Sequence, residues 1–207
     1  MTDPIVSGVP VSAAATPPDP AGADRLTLTV PDPAAMNRLG RALGGLLRAG
    51  DLVVLGGELG AGKTTLTRGV GEGMGVRGAV TSPTFVIARV HPSTGAGPAL
   101  VHVDAYRLSG GLEEMEDLDL DVSLTDSVVI VEWGEGRVEE LTEDRLHVRI
   151  ERATGAEGPE GDARRVVIEA VGGRRGLPDP EPLRRAVADP APGGGGPAGA
   201  VNGTAGG

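Results

Sequence analysis

Hydrophobic residues along the chain fall into short blocks with two different spacings. Residues 25–30 alternate apolar and polar side chains, which predicts a strand with one buried face. From Asp32 and Pro33 onward, apolar residues recur at helical spacing, so a helix capped by Asp32 and closed by Gly50 is predicted. Residues 52–55 are all apolar, which is typical of a strand buried on both faces.

Downstream of these blocks, a helix is predicted from Lys63 to about Met74, directly after a glycine-rich turn. The acidic stretch 112–120 is expected to be partly helical. Helices between strands, followed by terminal hairpins, predict an α/β layer fold with a mixed sheet. The further predicted strands are 84–90 in a hairpin with 99–106, 128–131 alone, and 146–150 in a hairpin with 166–170.

Composition limits the folded part of the chain and its class of partner. Of 207 residues, 35 are Gly and 17 are Pro, and both ends are low-complexity. We therefore predict a disordered leader over 1–23, one domain over 24–171 and a disordered tail over 172–207, and removal of 178–207 is expected to leave folding unchanged. A net charge of −10 without a basic stripe argues against gripping nucleic acid alone.

Two absences in the sequence exclude further classes. The chain has no Cys, so disulfides and thiolate metal sites are excluded. It also has no secretory segment and no apolar run of membrane length, so the expected location is the cytoplasm.

The single lysine lies in the motif that carries the chemistry. Gly57 to Thr64 reads GELGAGKT and fits G-x-x-x-x-G-K-[ST], the phosphate-binding loop (P-loop), with a buried strand before it and a helix after it. Glycines let such a loop turn its backbone N–H groups toward phosphates, and the helix adds its positive end. Lys63 is expected to reach the β- and γ-phosphates as a compact charge, and Thr64 to offer its hydroxyl to Mg²⁺.

A P-loop site needs a carboxylate at the end of a neighbouring strand to organise Mg²⁺ and water. Two residues qualify, because Asp104 ends the run ALVHVD and Glu132 ends the run VVIVE. The spacing does not decide which acid lies closer to the metal, and each could instead be an ordinary strand-end acid.

Two other features adjoin these predicted site elements. The segment TSPTF, residues 81–85, could be a switch that contacts the γ-phosphate or a partner, or simply a capped turn. The three aromatic residues, Phe85, Tyr106 and Trp133, each lie at or beside a candidate site element, although packing at strand ends would also explain them.

The motifs GELGAGKTT, TSPTF, HVDAYRL and VEW, in this order and spacing, closely resemble the TsaE (YjeE) family, the ATPase component of bacterial tRNA threonylcarbamoyladenosine synthesis. The resemblance runs from about Leu26 to Val171. It implies a P-loop NTPase-like three-layer α/β fold with a mixed sheet and terminal antiparallel hairpins. It also implies ATP and Mg²⁺ as cofactors, weak intrinsic hydrolysis, and partnership with the TsaD and TsaB subunits, through which tRNA is reached indirectly.

The resemblance further implies roles for individual residues. Thr64 and Glu132 would bind Mg²⁺, and Asp104 would be an essential acid near the metal. Glu58 and the sequence HVDAYR depart modestly from the family pattern, which leaves the packing around Asp104 less defined. The implied sets are Lys63, Asp104 and Glu132 as catalytic; Gly57, Gly60, Ala61, Gly62, Lys63, Thr64 and Thr65 as nucleotide-binding; and Thr81, Ser82, Pro83, Thr84, Phe85, Tyr106, Arg107 and Trp133 as switch or partner-facing.

Two other functions of a P-loop protein compete with this one. A kinase that phosphorylates a small molecule would be expected to close an Arg-rich lid over the phosphates. Residues 108–136 contain no basic residue and many acids, which would repel phosphates but could contact a basic partner or simply face solvent. A GTPase is disfavoured because a guanine-specific N-K-x-D loop needs a second lysine.

Overall fold

The structure is a computed structural model that describes residues 25–82, 87–107, 125–134, 144–152, 163–172 and 176–188. Within these ranges the chain forms one seven-stranded sheet, three α-helices and a short 3-10 turn, Ala105–Arg107. The helices are α1 (Pro33–Gly44), α2 (Lys63–Met74) and α3 (Pro180–Ala188). The strands are β1 (Arg25–Val30), β2 (Leu52–Gly56), β3 (Ala88–His91), β4 (Ala99–Asp104), β5 (Ser127–Glu132), β6 (Arg145–Arg152) and β7 (Arg164–Val171).

The sheet is mixed, with the strand order β1-β7-β6-β2-β5-β4-β3. Its four central strands, β6, β2, β5 and β4, are parallel, whereas β3, β7 and β1 join antiparallel at the two edges. The two predicted hairpins, β3 with β4 and β6 with β7, are confirmed. Because β4 and β5 are parallel and Asp104 pairs with Glu132, both acids lie at the carboxyl edge of the sheet, beside the end of β2.

The two faces of the sheet carry separate apolar clusters. Val53 and Leu55 of β2 point to the face on which residues of α1, α2 and α3 complete one cluster. Leu52 and Val54 point to the opposite face and join a smaller cluster with residues of β4 and β5. This alternation is the period-two pattern of a strand that is buried on both sides. The partly helical stretch predicted over 112–120 lies outside the described residues.

Helices α1 and α2 lie unusually close together because glycines face each other. A Cβ atom built on Gly40 would lie 2.3 Å from the Leu66 carbonyl oxygen, and one on Gly69 would lie 2.2 Å from the Asn37 carbonyl oxygen. Any larger side chain would have to push the two backbones apart. The glycines therefore fix the position of α2, whose first residue is Lys63.

The start of α1 is as predicted, but its end is not. Asp32 caps the helix by accepting a 2.7 Å hydrogen bond from the backbone N–H of Ala35. The prediction that Gly50 closes the helix is wrong, because α1 ends at Gly44. The consecutive Gly44 and Gly45 have poor helix propensity and interrupt the helix before the apolar spacing ends.

The predicted disordered tail over 172–207 is wrong for Pro180–Ala188, which is helix α3. Leu183 is fully buried in the main core, and the Arg38 Nε donates a 3.0 Å hydrogen bond to the Ala186 carbonyl oxygen. The Asp179–Pro180 pair begins this helix as Asp32–Pro33 begins α1, so the same start signal was present in the sequence. Residues 1–23 and 189–207 lie outside the described residues.

Among the helices of the described residues, none combines the length and apolarity needed to cross a membrane.

Candidate functional site

The loop between β2 and α2 is shaped by glycines with positive φ. Gly57 has φ 131° and lies against β6, where a Cβ atom would be 2.3 Å from the Ile150 carbonyl oxygen. Gly62 has φ 116° and occupies the N-cap position of α2 without a side-chain cap. No side chain therefore caps the positive end of the α2 dipole, which faces the loop and any group that the loop binds. This geometry suits an anionic group such as phosphate.

Lys63 is held inside the loop, with 5% of its surface exposed. Its Nζ donates hydrogen bonds to the carbonyl oxygens of Gly57 (2.7 Å) and Glu58 (3.0 Å). The same Nζ lies 3.5 Å from the centroid of the Trp133 ring, a cation–π contact. These contacts fix the only lysine of the chain at the centre of the loop.

Glu132 is the buried acid that meets α2. Because it follows Val128 and Ile130 at period two, its side chain points to the helix face of the sheet. The Thr64 hydroxyl lies 3.1 Å from both carboxylate oxygens, and the Thr67 hydroxyl lies 3.4 Å from Oε1. The two residues predicted to bind Mg²⁺, Thr64 and Glu132, are thus in direct contact.

Asp104 lies at the end of the neighbouring strand, in a different environment. It is 8% exposed, and its Oδ1 accepts a 3.2 Å hydrogen bond from the backbone N–H of Tyr106. Its side chain lines the same cavity as Thr64 and Glu132. Of the two acids, Glu132 is the one whose carboxylate contacts the Thr64 hydroxyl.

A cavity of about 590 Å³ joins the loop and the two acids. Trp133 stands at its wall with φ 62°, a left-handed conformation that costs a bulky residue about 1–3 kcal/mol. Its backbone N–H donates to the Leu55 carbonyl oxygen, and its ring packs 5.4 Å from that of Tyr106. The cavity is lined by Leu59, Gly60, Gly62, Lys63, Thr64, Thr65, Ser82, Asp104, Tyr106, Glu132 and Trp133.

Most of the predicted site residues line this cavity, and a few do not. Gly57 and the buried Ala61 support the loop from behind rather than lining the cavity. Thr81 accepts a 3.3 Å hydrogen bond from Arg89. Pro83, Thr84, Phe85 and the side chain of Arg107 lie outside the described residues.

Two residues at the site were missed by the sequence reading. Thr67 lies one helical turn after Lys63, whose carbonyl oxygen accepts a 3.0 Å hydrogen bond from the Thr67 hydroxyl. His102 lies two positions before Asp104 on β4, and its Nε2 is 2.9 Å from the Glu132 Oε1. The signals were helical spacing for Thr67 and strand spacing for His102, since each puts the residue on the face of its element that carries a predicted site residue.

The donor set fits Mg²⁺ bound together with a phosphate. Within the described ranges, no group of three or more His, Asp or Glu side chains could hold a metal without other ligands. Mg²⁺ usually takes one or two carboxylates and completes its octahedron with waters and substrate phosphates. The Thr64 hydroxyl and the Glu132 carboxylate, next to a phosphate-binding type of loop, are oxygen donors of this kind.

The fold and the loop define an α/β protein with a P-loop NTPase-like fold. The family model "Threonylcarbamoyl adenosine biosynthesis protein TsaE" matches residues 30–161. The chain belongs to the TsaE family, as its motifs predict.

Individual relatives agree with this assignment. The tRNA threonylcarbamoyladenosine biosynthesis protein TsaE of Streptomyces coelicolor is 75% identical over 139 residues, which cover 67% of this chain and 93% of that protein. The Mycobacterium tuberculosis protein of the same description is 51% identical over 134 residues, 62% of this chain and 80% of the relative. The crystal structure of Bacillus subtilis YdiB matches with a TM-score of 0.54 and 31% identity, over 72% of this chain and 86% of that one.

Proposed function

We propose that this protein binds ATP with Mg²⁺ in the cavity at the carboxyl edge of the sheet and hydrolyses it slowly, as an accessory protein in threonylcarbamoyladenosine modification of tRNA. The observation that carries the proposal is the contact between Thr64 and Glu132, 3.1 Å to each carboxylate oxygen, beside the buried Lys63. A hydroxyl and an ammonium at the start of α2, beside a carboxylate at the end of β5, are groups that phosphoryl transfer requires.

The residues around the cavity would have separate roles in binding the phosphates, holding Mg²⁺ and orienting water. The backbone N–H groups of the loop and of the first turn of α2 would bind the phosphates, and the Lys63 ammonium would stabilise the charge that develops on the γ-phosphoryl oxygens. Thr64 and Glu132 would hold Mg²⁺, which supplies positive charge to the phosphate oxygens when bound. Asp104, on the cavity wall, would orient the attacking water by accepting its hydrogen bond.

The rim of the cavity suggests why hydrolysis would depend on partners. Leu59 and Tyr106 line the cavity with 85% and 74% of their surfaces exposed, so both side chains are accessible to a partner. A protein surface that covers them would exclude water from the phosphates. We therefore propose that the TsaD and TsaB subunits complete the site in the cytoplasm, and that tRNA reaches the assembly through them.

Hydrolysis is favoured over phosphate transfer to a small acceptor. The described residues that line the cavity include one cation, Lys63, and no arginine that could close over a second substrate. The chain also carries a net charge of −10, so a direct grip on tRNA would gain little from counterion release.

The test follows γ-labelled ATP with the purified full chain, alone and with TsaD and TsaB. We expect the label to reach water slowly with the chain alone and several-fold faster with the partners. In parallel, a tRNA gel shift at physiological salt should show no tight complex with the chain alone. Transfer of the label to an organic acceptor would support the kinase instead. Full-speed hydrolysis without partners would contradict the partner dependence.

A further inference from the structure

His102 is a fully buried polar residue that reaches the candidate metal site from the neighbouring strand. Its side chain is 0% exposed, and its Nε2 lies 2.9 Å from the Glu132 Oε1. Its backbone pairs with that of Ile130, so the ring crosses from β4 toward the end of β5. The Glu132 carboxylate is therefore in contact with three side chains, those of Thr64, Thr67 and His102.

The contact defines which ring nitrogen carries the hydrogen. An ionised carboxylate only accepts hydrogen bonds, so the hydrogen in this contact belongs to Nε2. The other nitrogen, Nδ1, is buried and has no hydrogen-bond partner among the described residues. A hydrogen on Nδ1 would remain unsatisfied, which is costly in a buried place. The hydrogen-bond network thus places a ring hydrogen on Nε2, facing Glu132.

The three side chains contact the two oxygens of Glu132 unevenly. Oε1 receives the contacts from His102 and Thr67, and it shares the Thr64 hydroxyl with Oε2. Oε2 is contacted by the Thr64 hydroxyl, the group expected to share a metal with it. The contacts at Oε1 restrict rotation of the carboxylate group. The direction in which Oε2 points is therefore restricted as well.

We propose that His102 is a positioning residue, whose Nε2–H fixes the Glu132 carboxylate so that Oε2 and the Thr64 hydroxyl face the same Mg²⁺. The proposal rests on the proposed function above. Partners of this kind, one step removed from a metal, typically contribute 10- to 100-fold in metal affinity or activity. The competing explanation is that His102 only fills space between β4 and α2, in which case the position of its N–H group would be irrelevant.

Two amide substitutions separate the explanations, because they place an N–H group differently. In His102→Gln the side-chain NH₂ can occupy the place of Nε2, whereas in His102→Asn it lies near the place of Nδ1 and cannot reach Glu132. Both replacements are polar and smaller than or similar to histidine. His147→Asn, on β6 and outside the cavity lining, is the matched control.

The measurement uses binding rather than turnover. Trp133 is the only tryptophan of the chain and lies at the cavity, so its fluorescence can follow Mg²⁺ titrated into the full chain with saturating ADP. We expect His102→Asn to raise the Mg²⁺ midpoint, the Mg²⁺ concentration that gives half of the fluorescence change, about tenfold. His102→Gln should stay within about threefold of wild type, and ADP affinity without Mg²⁺ should be unchanged in both variants. The control should match wild type, and in a Glu132→Gln background His102→Asn should add nothing.

The outcomes that overturn the proposal are distinct. The proposal is wrong if His102→Asn has the wild-type Mg²⁺ midpoint, or if the midpoint rises equally in both amide variants. Either result would mean that His102 only fills space. If His102→Asn does not fold, the ¹⁵N spectrum of the wild-type chain still decides, because Nε2–H supports the proposal and Nδ1–H contradicts it. A wild-type chain whose fluorescence does not respond to ADP and Mg²⁺ overturns the proposed function, and this inference with it.

Discussion

Helix α2 takes part in two regions, the carboxyl edge of the sheet and the helix layer formed by α1, α2 and α3. It contributes to them in opposite ways. At its first turn, Lys63, Thr64 and Thr67 make polar contacts with the loop and with Glu132. Along its flank, Gly69 lies against α1 so closely that no side chain fits between the backbones. One end of the helix is specified by hydrogen-bonding groups and the other by the absence of side-chain atoms.

The two regions are expected to contribute to different properties, the cavity to nucleotide chemistry and the helix layer to stability. Polar groups at the cavity contribute little apolar burial, so their removal should change nucleotide handling much more than folding. Close-packed helix residues that lie away from the loop, such as Leu183, line no part of the cavity, so their truncation should lower stability and spare hydrolysis. Substitutions in the two regions should therefore produce opposite phenotypes.

The largest effect is expected for Lys63→Ala. Loss of the ammonium from the loop removes charge stabilisation of the transferring phosphoryl group, so ATP hydrolysis should fall by at least about 100-fold. The melting curve should stay close to that of wild type. Arg68→Ala, an exposed cation on the same helix, is the control and should hydrolyse ATP at the wild-type rate. Hydrolysis by Lys63→Ala within a few-fold of wild type would break the assignment of the site.

The two acids should differ from each other. Glu132→Gln replaces a hard carboxylate ligand with an amide, so the Mg²⁺ concentration for half-maximal hydrolysis should rise by about tenfold or more. Asp104→Asn should slow turnover with a smaller change in the Mg²⁺ midpoint, because the carboxylate in contact with the Thr64 hydroxyl is that of Glu132. A midpoint that shifts in Asp104→Asn and not in Glu132→Gln would reverse the two roles.

In the helix layer, Leu183→Ala tests the docking of α3. Leu183 is fully buried, and its truncation should cost about 2 kcal/mol, since a short terminal helix falls at the low end for buried Leu→Ala changes. Thermal unfolding should reveal the loss, while ATP hydrolysis stays within about twofold. Arg185→Ala on the same helix removes only an exposed pair with Glu181, so its melting temperature should hardly move. Equal melting of Leu183→Ala and wild type would mean that α3 contributes nothing.

The smallest effect is a pH dependence at His91, the last residue of β3. Burial lowers the pKa of His91 below its usual 6.5, and the nearby His102 and Arg89 lower it further, against a backbone hydrogen bond at Arg77 that raises it. As the pH falls below 6.5, His91 is protonated more readily in the unfolded chain than in the folded chain. The contribution of neutral His91 to the free energy of unfolding is therefore fully present above pH 6.5 and is lost as the pH falls.

His91→Gln should remove this contribution to the pH dependence. Melting temperatures of variant and wild type at pH 7.5 and 5.5 provide the comparison. The difference between the two proteins should shift in favour of the variant at the lower pH. An identical pH dependence would show that His91 does not contribute.

The sequence predicted the elements whose patterns are local. The P-loop motif, the Asp32–Pro33 start of α1 and the alternating strands are short-range signals, because each depends on the spacing of residues within one element. The same kind of signal at Asp179–Pro180 was overlooked, because the Pro- and Gly-rich composition around it favoured disorder. The end of α1 was misplaced because the apolar spacing continues past Gly44.

The sequence by itself thus determined the class of fold, the family and the identities of Lys63, Thr64, Asp104 and Glu132 as candidates. Only the tertiary structure decided that Glu132 contacts Thr64, that His102 holds Glu132 and that α3 packs on α1. These contacts join residues from separate elements, and their geometry depends on strand order, strand register and the close approach of two helices. None of those quantities is encoded in the local spacing of residues, because each is set by how the elements pack together.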